Sequence, residues 1–137
     1  MPCRSLLGVR TLLPDYISIR IGDYHGTICL SALHELPLPN FRKVLRLMAD
    51  PSNECRSDIS VLEQYLREAT SAAEDRYQEA KANFIAGYKD VPNRRSRKPE
   101  VKEILRRNKE LMEAKQAAYH RYDALKQRLD IFKERMI

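Results

Sequence analysis

The clearest pattern near the start of the chain is a strict alternation of apolar and polar residues between Tyr16 and Ile21. Isoleucine occupies every second position there, and Ser18 and Arg20 stand between the isoleucines, which is the period of a strand with one buried face. Four turn-forming residues come next: Gly22, Asp23, His25 and Gly26. Because a second β-prone run follows them, the pattern predicts a β-hairpin over about residues 16–31 with a loop of several residues.

A helical spacing follows the predicted hairpin. Four apolar residues recur three and four positions apart: Phe41, Val44, Leu45 and Met48. With Asn40 as the N-cap and Pro51 beyond the last turn, this spacing predicts a short helix over about residues 41–49 that covers the hairpin. Residues 1–56 are therefore predicted to form a small α+β head. A third strand from residues 6–13, or from a partner chain, is the alternative cover for the hairpin.

A long segment rich in Ala, Glu, Gln and Leu begins at Ser57 and holds neither proline nor glycine before Gly87. This composition predicts a helix over about residues 57–87. Its apolar face repeats at eleven-residue steps, from Leu66 to Tyr77 to Tyr88. Such a period lies close to that of a straight α-helix, so the helix requires little supercoiling.

A second long helix is predicted from Pro99, whose fixed φ suits a first helical turn, to the C-terminus near Met136. Its apolar face follows five heptads, with a positions at Val101, Asn108, Lys115, Tyr122, Leu129 and Met136 and d positions at Ile104, Leu111, Ala118, Leu125 and Phe132. Asn108 and Lys115 weaken such a seam. They also specify its register, because a shifted pairing would bury them against apolar side chains.

A short connection between two amphipathic helices favours an antiparallel hairpin. If the chain turns back at residues 93–94, Phe84 lies opposite Ile104 and Tyr77 lies opposite Leu111. The fold class predicted for the whole chain is mainly α (α+β): a small N-terminal β-hairpin plus a short helix, followed by a long antiparallel helical hairpin that resembles a coiled coil. Pairing of the heptads with a second copy, in a homodimer, is the alternative.

Positive charge is concentrated where the predicted helical hairpin turns. The chain carries 25 Lys and Arg against 19 Asp and Glu, a net charge of +6. Residues 89–109, which we call the basic tip, hold nine of the basic residues and three of the acidic ones, and so account for the whole excess. The basic tip combines a loop over about residues 88–98 with the first turns of the last helix, inside a predicted hairpin domain of residues 57–137.

Eight residues of the basic tip form the predicted binding site: Arg94, Arg95, Arg97, Lys98, Lys102, Arg106, Arg107 and Lys109. Guanidinium groups make forked contacts with phosphate, and several such contacts make nucleic-acid binding steeply dependent on salt. Helical spacing places Lys102, Arg106 and Lys109 on one face. No aromatic residue lies between residues 89 and 118, so the sequence predicts no platform for base stacking.

These features favour a non-enzymatic binding protein whose basic tip engages nucleic acid backbone or a nucleoprotein complex. The alternative is a small inhibitor or regulator that blocks a nucleic-acid-processing enzyme, as anti-defence, anti-CRISPR-like proteins of phages and mobile elements do. A coiled-coil scaffold with a charged, soluble loop is the second alternative. The predicted partners are nucleic acid or a nucleic-acid-processing protein, and neither a membrane nor a small-molecule substrate is predicted.

No catalytic residue, metal or cofactor is predicted, because the sequence holds no phosphate-binding glycine-rich loop, no nucleophile elbow and no His-Glu-x-x-His motif. His25 and His34 lie near acidic residues, but isolated histidines of this kind are typical of a protein surface. The three cysteines are odd in number and widely spaced, which favours a reducing, cytoplasmic compartment. Residues 1–14 lack the continuous apolar core of a secretory signal, and a mitochondrial presequence is the alternative for them.

Overall fold

The computed structural model describes residues 13–136 of the chain. Within that range the elements are strands β1 (Tyr16–Ile21) and β2 (Tyr24–Cys29), a 3-10 helix (Leu30–Glu35), and helices α1 (Leu38–Ala49), α2 (Asp58–Gly87) and α3 (Pro99–Met136). The predicted fold class is confirmed, since an N-terminal β-hairpin precedes two long helices that pack against each other. The strand, targeting and cysteine predictions that concern residues 1–12 lie outside the described residues.

Contacts within the chain divide it into two compact units. Of the described residues, 13–67 and 128–136 form the head unit, and 68–127 form the hairpin unit. The first turns of α2 and the last turns of α3 therefore belong to the head unit. The division into domains of residues 1–56 and 57–137 stays a prediction.

The β-hairpin of the head unit is tighter than its sequence suggests. Strands β1 and β2 pair antiparallel, with Ile21 opposite Tyr24, so only Gly22 and Asp23 remain in the turn. Gly22 has a φ of 55°, a left-handed conformation that glycine adopts without steric penalty. The prediction of a loop of several residues is wrong, because the second pair of turn-forming residues continues β2 instead.

Hydrogen bonds close the outer edge of β1. The Ser18 N–H donates to Asp58 Oδ2 at 2.6 Å, and the Arg20 N–H donates to Asn53 Oδ1 at 3.0 Å. The Arg20 carbonyl accepts a further bond from the Glu54 N–H at 2.9 Å. The segment between α1 and α2 therefore takes the place that a third strand would occupy beside β1.

The core of the head unit joins the inner face of the β-hairpin to apolar side chains from every helix. Its buried members are Ile17, Ile19, Leu30, Leu33, Phe41, Leu45, Met48, Leu62, Leu66, Leu129, Ile131 and Phe132. Burial of each large apolar side chain stabilises the fold by about 1.5–3 kcal/mol relative to its exposure. The predicted inner face of α1 is confirmed, because Phe41, Leu45 and Met48 are all buried in this core.

The start of α1 differs from the prediction. The helix begins at Leu38 with Pro37 as its N-cap residue, and no side chain caps it. Asn40, which the sequence predicts as the N-cap, lies inside the first turn instead. The early start has a physical reason, because Pro39 is compatible with the first turn of a helix, where its missing N–H has no intrahelical partner to lose.

Arg128 of α3 is buried in the head unit, with 5% of its surface exposed. Its Nε donates to the Leu33 carbonyl at 2.7 Å, and its Nη2 donates to the Leu36 carbonyl. These bonds satisfy carbonyls at the end of the 3-10 helix, an element that the sequence does not predict. Burial lowers the pKa of Arg128 from its ordinary value, but an arginine stays protonated in a protein.

In the hairpin unit α2 and α3 pack antiparallel, but their register differs from the predicted one. The ring centroids of Tyr77 and Tyr119 lie 5.3 Å apart, and the Lys115 ammonium lies 4.4 Å from the centroid of the Phe84 ring. Phe84 therefore faces a residue eleven positions beyond Ile104, its predicted partner, so the predicted register is wrong. The seam itself is confirmed, because none of the a and d positions of α3 is exposed.

The shift of eleven residues has two physical causes. Eleven residues make about three helical turns, so the same faces of both helices meet after the shift, and the eleven-residue repeat of α2 does not select one register. The turn also does not fall at residues 93–94. A Cβ on Gly87, the last residue of α2, would come within 2.9 Å of Leu111, so the first three turns of α3 lie beside the connecting loop and not beside α2.

Candidate nucleic-acid interface

The eight predicted binding residues all lie at the loop end of the hairpin unit, and all are exposed. Residues 94, 95, 97 and 98 belong to the loop that connects α2 with α3, and the other four belong to the first three turns of α3. The loop runs back along those turns, so that Arg94 and Lys109, fifteen residues apart in sequence, line the same groove. The fold thus gathers the loop and helix parts of the basic tip.

Two short polar side chains order the backbone of the basic loop. Asn93 Oδ1 accepts from the Arg95 N–H at 3.2 Å, and the Asn93 carbonyl accepts from the Ser96 N–H at 3.2 Å. Ser96 Oγ in turn accepts from the Lys98 N–H at 3.3 Å. Asparagine and serine favour such bonds to the backbone two residues onward. The arginines of the loop are therefore carried on a hydrogen-bonded backbone.

Asn108 fastens the start of the loop to α3. Its side chain is buried, its Oδ1 accepts from the Lys89 N–H at 3.0 Å, and its Nδ2 donates to the Lys89 carbonyl at 2.7 Å. The amide thus satisfies both backbone groups of one loop residue, as a neighbouring strand does in a hydrogen-bonded pair. The polar residue at this heptad a position therefore binds the loop backbone, and this contact is consistent with the observed register.

Ion pairs along α3 engage part of the predicted site. Arg106 Nε donates to Glu103 Oε2 at 3.0 Å, and Arg106 Nη1 donates to Glu110 Oε2 at 2.6 Å. The hydrogen bond from Arg106 holds the pKa of Glu103 below its ordinary value, and the two carboxylates raise the pKa of Arg106. Lys109 Nζ lies 4.0 Å from Glu113 Oε2. Arg106 is therefore already matched by negative charge within its own helix.

The other six predicted residues form no ion pair with any residue between 13 and 136. They are Arg94, Arg95, Arg97, Lys98, Lys102 and Arg107. Their like charges add at one end of the hairpin unit, and a summed positive potential attracts a polyanion over a distance of about one Debye length. This set of unmatched cations is the strongest chemical feature of the site.

A groove of about 650 Å³, which we call the tip groove, adjoins the cations. Tyr88, Leu105 and Met112 supply its large apolar side chains, and Arg94 and Lys109 supply its cations. Sequence reasoning missed this groove, because it forms only when the loop folds back along the first turns of α3. The arrangement can hold an anionic group against the cations and a flat apolar group against the tyrosine ring.

Tyr88 is a candidate site residue that the sequence prediction does not include. Residues 89–118 contain no aromatic side chain, and Tyr88 lies one position before that range. Its N–H donates to the Phe84 carbonyl at 2.8 Å, and its ring packs on Phe84 with 5.0 Å between centroids. Tyr88 is 38% exposed as a whole residue. The eleven-residue repeat that includes Tyr88 is the sequence signal that could have placed it beside the basic loop.

Histidine and cysteine side chains show little convergence in the described residues. Within residues 13–136 no three His, Cys, Asp or Glu side chains lie close enough together to hold a metal ion. His34 Nε2 lies 3.9 Å from a carboxylate oxygen of its neighbour Glu35. Cys29 and Cys55 are free thiols. The Cys29 sulfur lies 3.1 Å from the Ser31 hydroxyl, whose hydrogen bond lowers the pKa of the thiol.

A membrane-span search and three comparisons with known proteins bear on the context of the site. No helix in the described part of the chain is both long enough and apolar enough to cross a membrane. The chain matches no protein-family model, no curated protein sequence and no solved structure.

Proposed function

We propose that this chain is a non-enzymatic protein that binds the phosphate backbone of nucleic acid through its basic tip. The proposal rests above all on one observation, the six exposed cations of the tip that have no ion-pair partner within residues 13–136. Phosphates along a nucleic acid are regularly spaced anions, and arginine binds them with a planar pair of donors. Contacts of this kind position a protein on nucleic acid without selecting a sequence.

The order of the loop supports the same function. Bonds from Asn93, Ser96 and Asn108 hold the backbone that carries the loop arginines. A site whose backbone is ordered before binding loses less conformational entropy when a partner binds. We also propose a cytoplasmic location, a reducing compartment in which Cys29 and Cys55 stay thiols.

Fluorescence anisotropy tests the proposal with labelled duplex and single-stranded DNA and RNA. If about six cations meet phosphates, affinity falls roughly 10³-fold when salt rises from about 50 to 200 mM. The variant in which Arg94, Arg95, Arg97 and Lys98 all become Ala is expected to bind more weakly to every nucleic acid tested. The slope of log affinity against log salt is expected to fall by about one for each phosphate contact removed.

A matched control removes four exposed cations from outside the basic tip. In this control Arg46, Arg76, Lys81 and Lys133 become Ala, which lowers the net charge by the same amount. It is expected to retain most of the affinity and nearly the whole salt slope. Equal losses in both variants would show a general charge effect and contradict a binding site at the tip.

Absence of binding to any nucleic acid at low salt would refute the proposal. An inhibitor of a nucleic-acid-processing enzyme would show this result and would instead form a stable complex with one protein. A coiled-coil scaffold would bind no nucleic acid either, and its four-alanine tip variant would behave as the unmodified protein does. Anisotropy therefore separates the proposed function from the other two, and a pull-down for a protein partner separates the inhibitor from the scaffold.

A further inference from the structure

We propose that the tip groove takes an unstacked base of a single-stranded nucleic acid, with its phosphates on the surrounding cations. This inference rests on the proposed function, because it names the class of nucleic acid that the basic tip binds. It also differs from the expectation that the tip has no platform for base stacking. That expectation rests on residues 89–118, and Tyr88 lies one residue before them.

The tyrosine ring is positioned to accept a base. Tyr88 follows the last residue of α2, and the contact of its ring with Phe84 at 5.0 Å between centroids supports it from the side of the helix. Tyr88 is 38% exposed as a residue and lines the tip groove together with Leu105 and Met112. A supported, partly exposed aromatic ring beside apolar side chains is the usual surface on which proteins stack nucleic-acid bases.

Charge complementarity selects a nucleic acid as the occupant. Arg94 and Lys109 line the same groove as the ring, and Arg94 has no ion pair with any other residue in the described range. Each base in a strand is joined through its sugar to the phosphate backbone, so one nucleotide presents a flat apolar face and an anion together. Glu113 and Gln116, which also line the groove, can accept or donate hydrogen bonds at the edge of a base.

The same geometry favours a single strand over a duplex. A groove of about 650 Å³ has room for a base only when that base leaves its stack, and extraction of a base from a duplex costs a few kcal/mol. Single strands already expose their bases, so they avoid this penalty. Duplex nucleic acid is therefore expected to contact the cations of the tip without filling the groove.

The decisive comparison uses two single-stranded oligomers of equal length and charge, a labelled oligo(dT) and an abasic oligomer with the same number of phosphates. We expect the unmodified protein to bind the oligo(dT) at least about fivefold more tightly, since stacking of one base on an aromatic residue contributes at least this factor. Tyr88→Ala is expected to bring the two affinities to the same value. Tyr88→Phe keeps the ring and is expected to keep the preference.

Tyr16→Ala is the control, because Tyr16 is an exposed tyrosine at the start of β1 in the head unit. This substitution is expected to leave the preference for the oligo(dT) intact. Circular dichroism melting of each variant shows whether it is folded. Equal binding of the two oligomers by the unmodified protein would overturn this inference and leave the phosphate contacts standing. Binding of neither oligomer at low salt would refute the proposed function and the inference with it. A preference that survives in folded Tyr88→Ala would also overturn the assignment of the groove.

Discussion

Replacement of Asn108 by alanine tests whether this side chain anchors the basic loop. The substitution removes both bonds between the side-chain amide and the Lys89 backbone, of 3.0 and 2.7 Å. Each intramolecular hydrogen bond contributes about 0.5–1.5 kcal/mol, so the pair contributes about 1–3 kcal/mol. Because both bonds hold one loop residue, we expect the loss of this free energy to weaken the protection of the Lys89 amide against hydrogen exchange.

Amide hydrogen exchange followed by NMR measures that protection directly. The Lys89 N–H donates to the side chain that Asn108→Ala removes, so its exchange is expected to become roughly 5- to 150-fold faster. Amides in the core of the head unit, such as that of Leu45, are expected to change much less.

Lys115→Ala is the matched control, because Lys115 is the other polar a position of the same seam. It contacts the Phe84 ring and makes no bond to the loop backbone among those found in residues 13–136. The loss of this cation–π contact is expected to cost about 0.5–1 kcal/mol and to leave the exchange of the Lys89 amide unchanged. Unchanged exchange in Asn108→Ala, or equal acceleration in both variants, would refute the anchoring role.

Two further predictions follow from the side-chain contacts of α3. Arg107→Ala is expected to lower the salt slope of nucleic-acid binding by about one. Arg106→Ala is expected to change this slope much less, because Arg106 already bonds two glutamates of its own helix. Salt titrations by anisotropy compare the two variants, and equal slopes would contradict the distinction between a paired Arg106 and an unpaired Arg107. Arg128→Met is expected to destabilise the head unit by about 2–4 kcal/mol, because two carbonyls lose a charged donor. Urea unfolding measures this loss against exposed Arg135→Met, which is expected to change stability by under about 0.5 kcal/mol; equal midpoints would show that Arg128 is not needed.

Local periodicity was sufficient to predict most of the elements. The alternation at Tyr16–Ile21 and the long segments at Asp58–Gly87 and Pro99–Met136 each carry one unambiguous period, and the structure has these elements at the predicted places. The apolar faces of the helices follow from the same spacing. These features depend on neighbours in sequence, so a single chain displays them directly.

Features that depend on contacts between residues distant in sequence could not be predicted from the local spacing of apolar residues. The predicted register of α2 against α3 was wrong because a shift of three turns preserves both faces. The contact of Lys115 with Phe84 and the bonds between Asn108 and Lys89 distinguish the two registers, and both depend on residues distant in sequence. The 3-10 helix was missed because its end depends on Arg128, more than ninety residues away. The heptad pattern also does not predict the burial of Arg128, because this residue lies beside the a and d positions and not at one of them.

The candidate site was predictable in its charge and not in its shape. The eight cations follow from a count along the sequence, and the structure has all of them exposed. The distinction between Arg106, which is paired, and Arg107, which is not, requires the side-chain geometry. The tip groove requires the path of the loop, because Tyr88 and Leu105 meet there only after the chain folds back.

The hydrogen bonds along the outer edge of β1 have a consequence for self-association. An exposed edge strand offers free N–H and C=O groups to another chain, and proteins that leave such an edge open are prone to aggregate through it. Here Asp58 and Asn53 occupy the outward N–H groups of Ser18 and Arg20, and the Glu54 N–H occupies the outward carbonyl of Arg20. A two-stranded sheet is thereby kept from growing on this side by residues of the loop before α2 and by the first residue of α2.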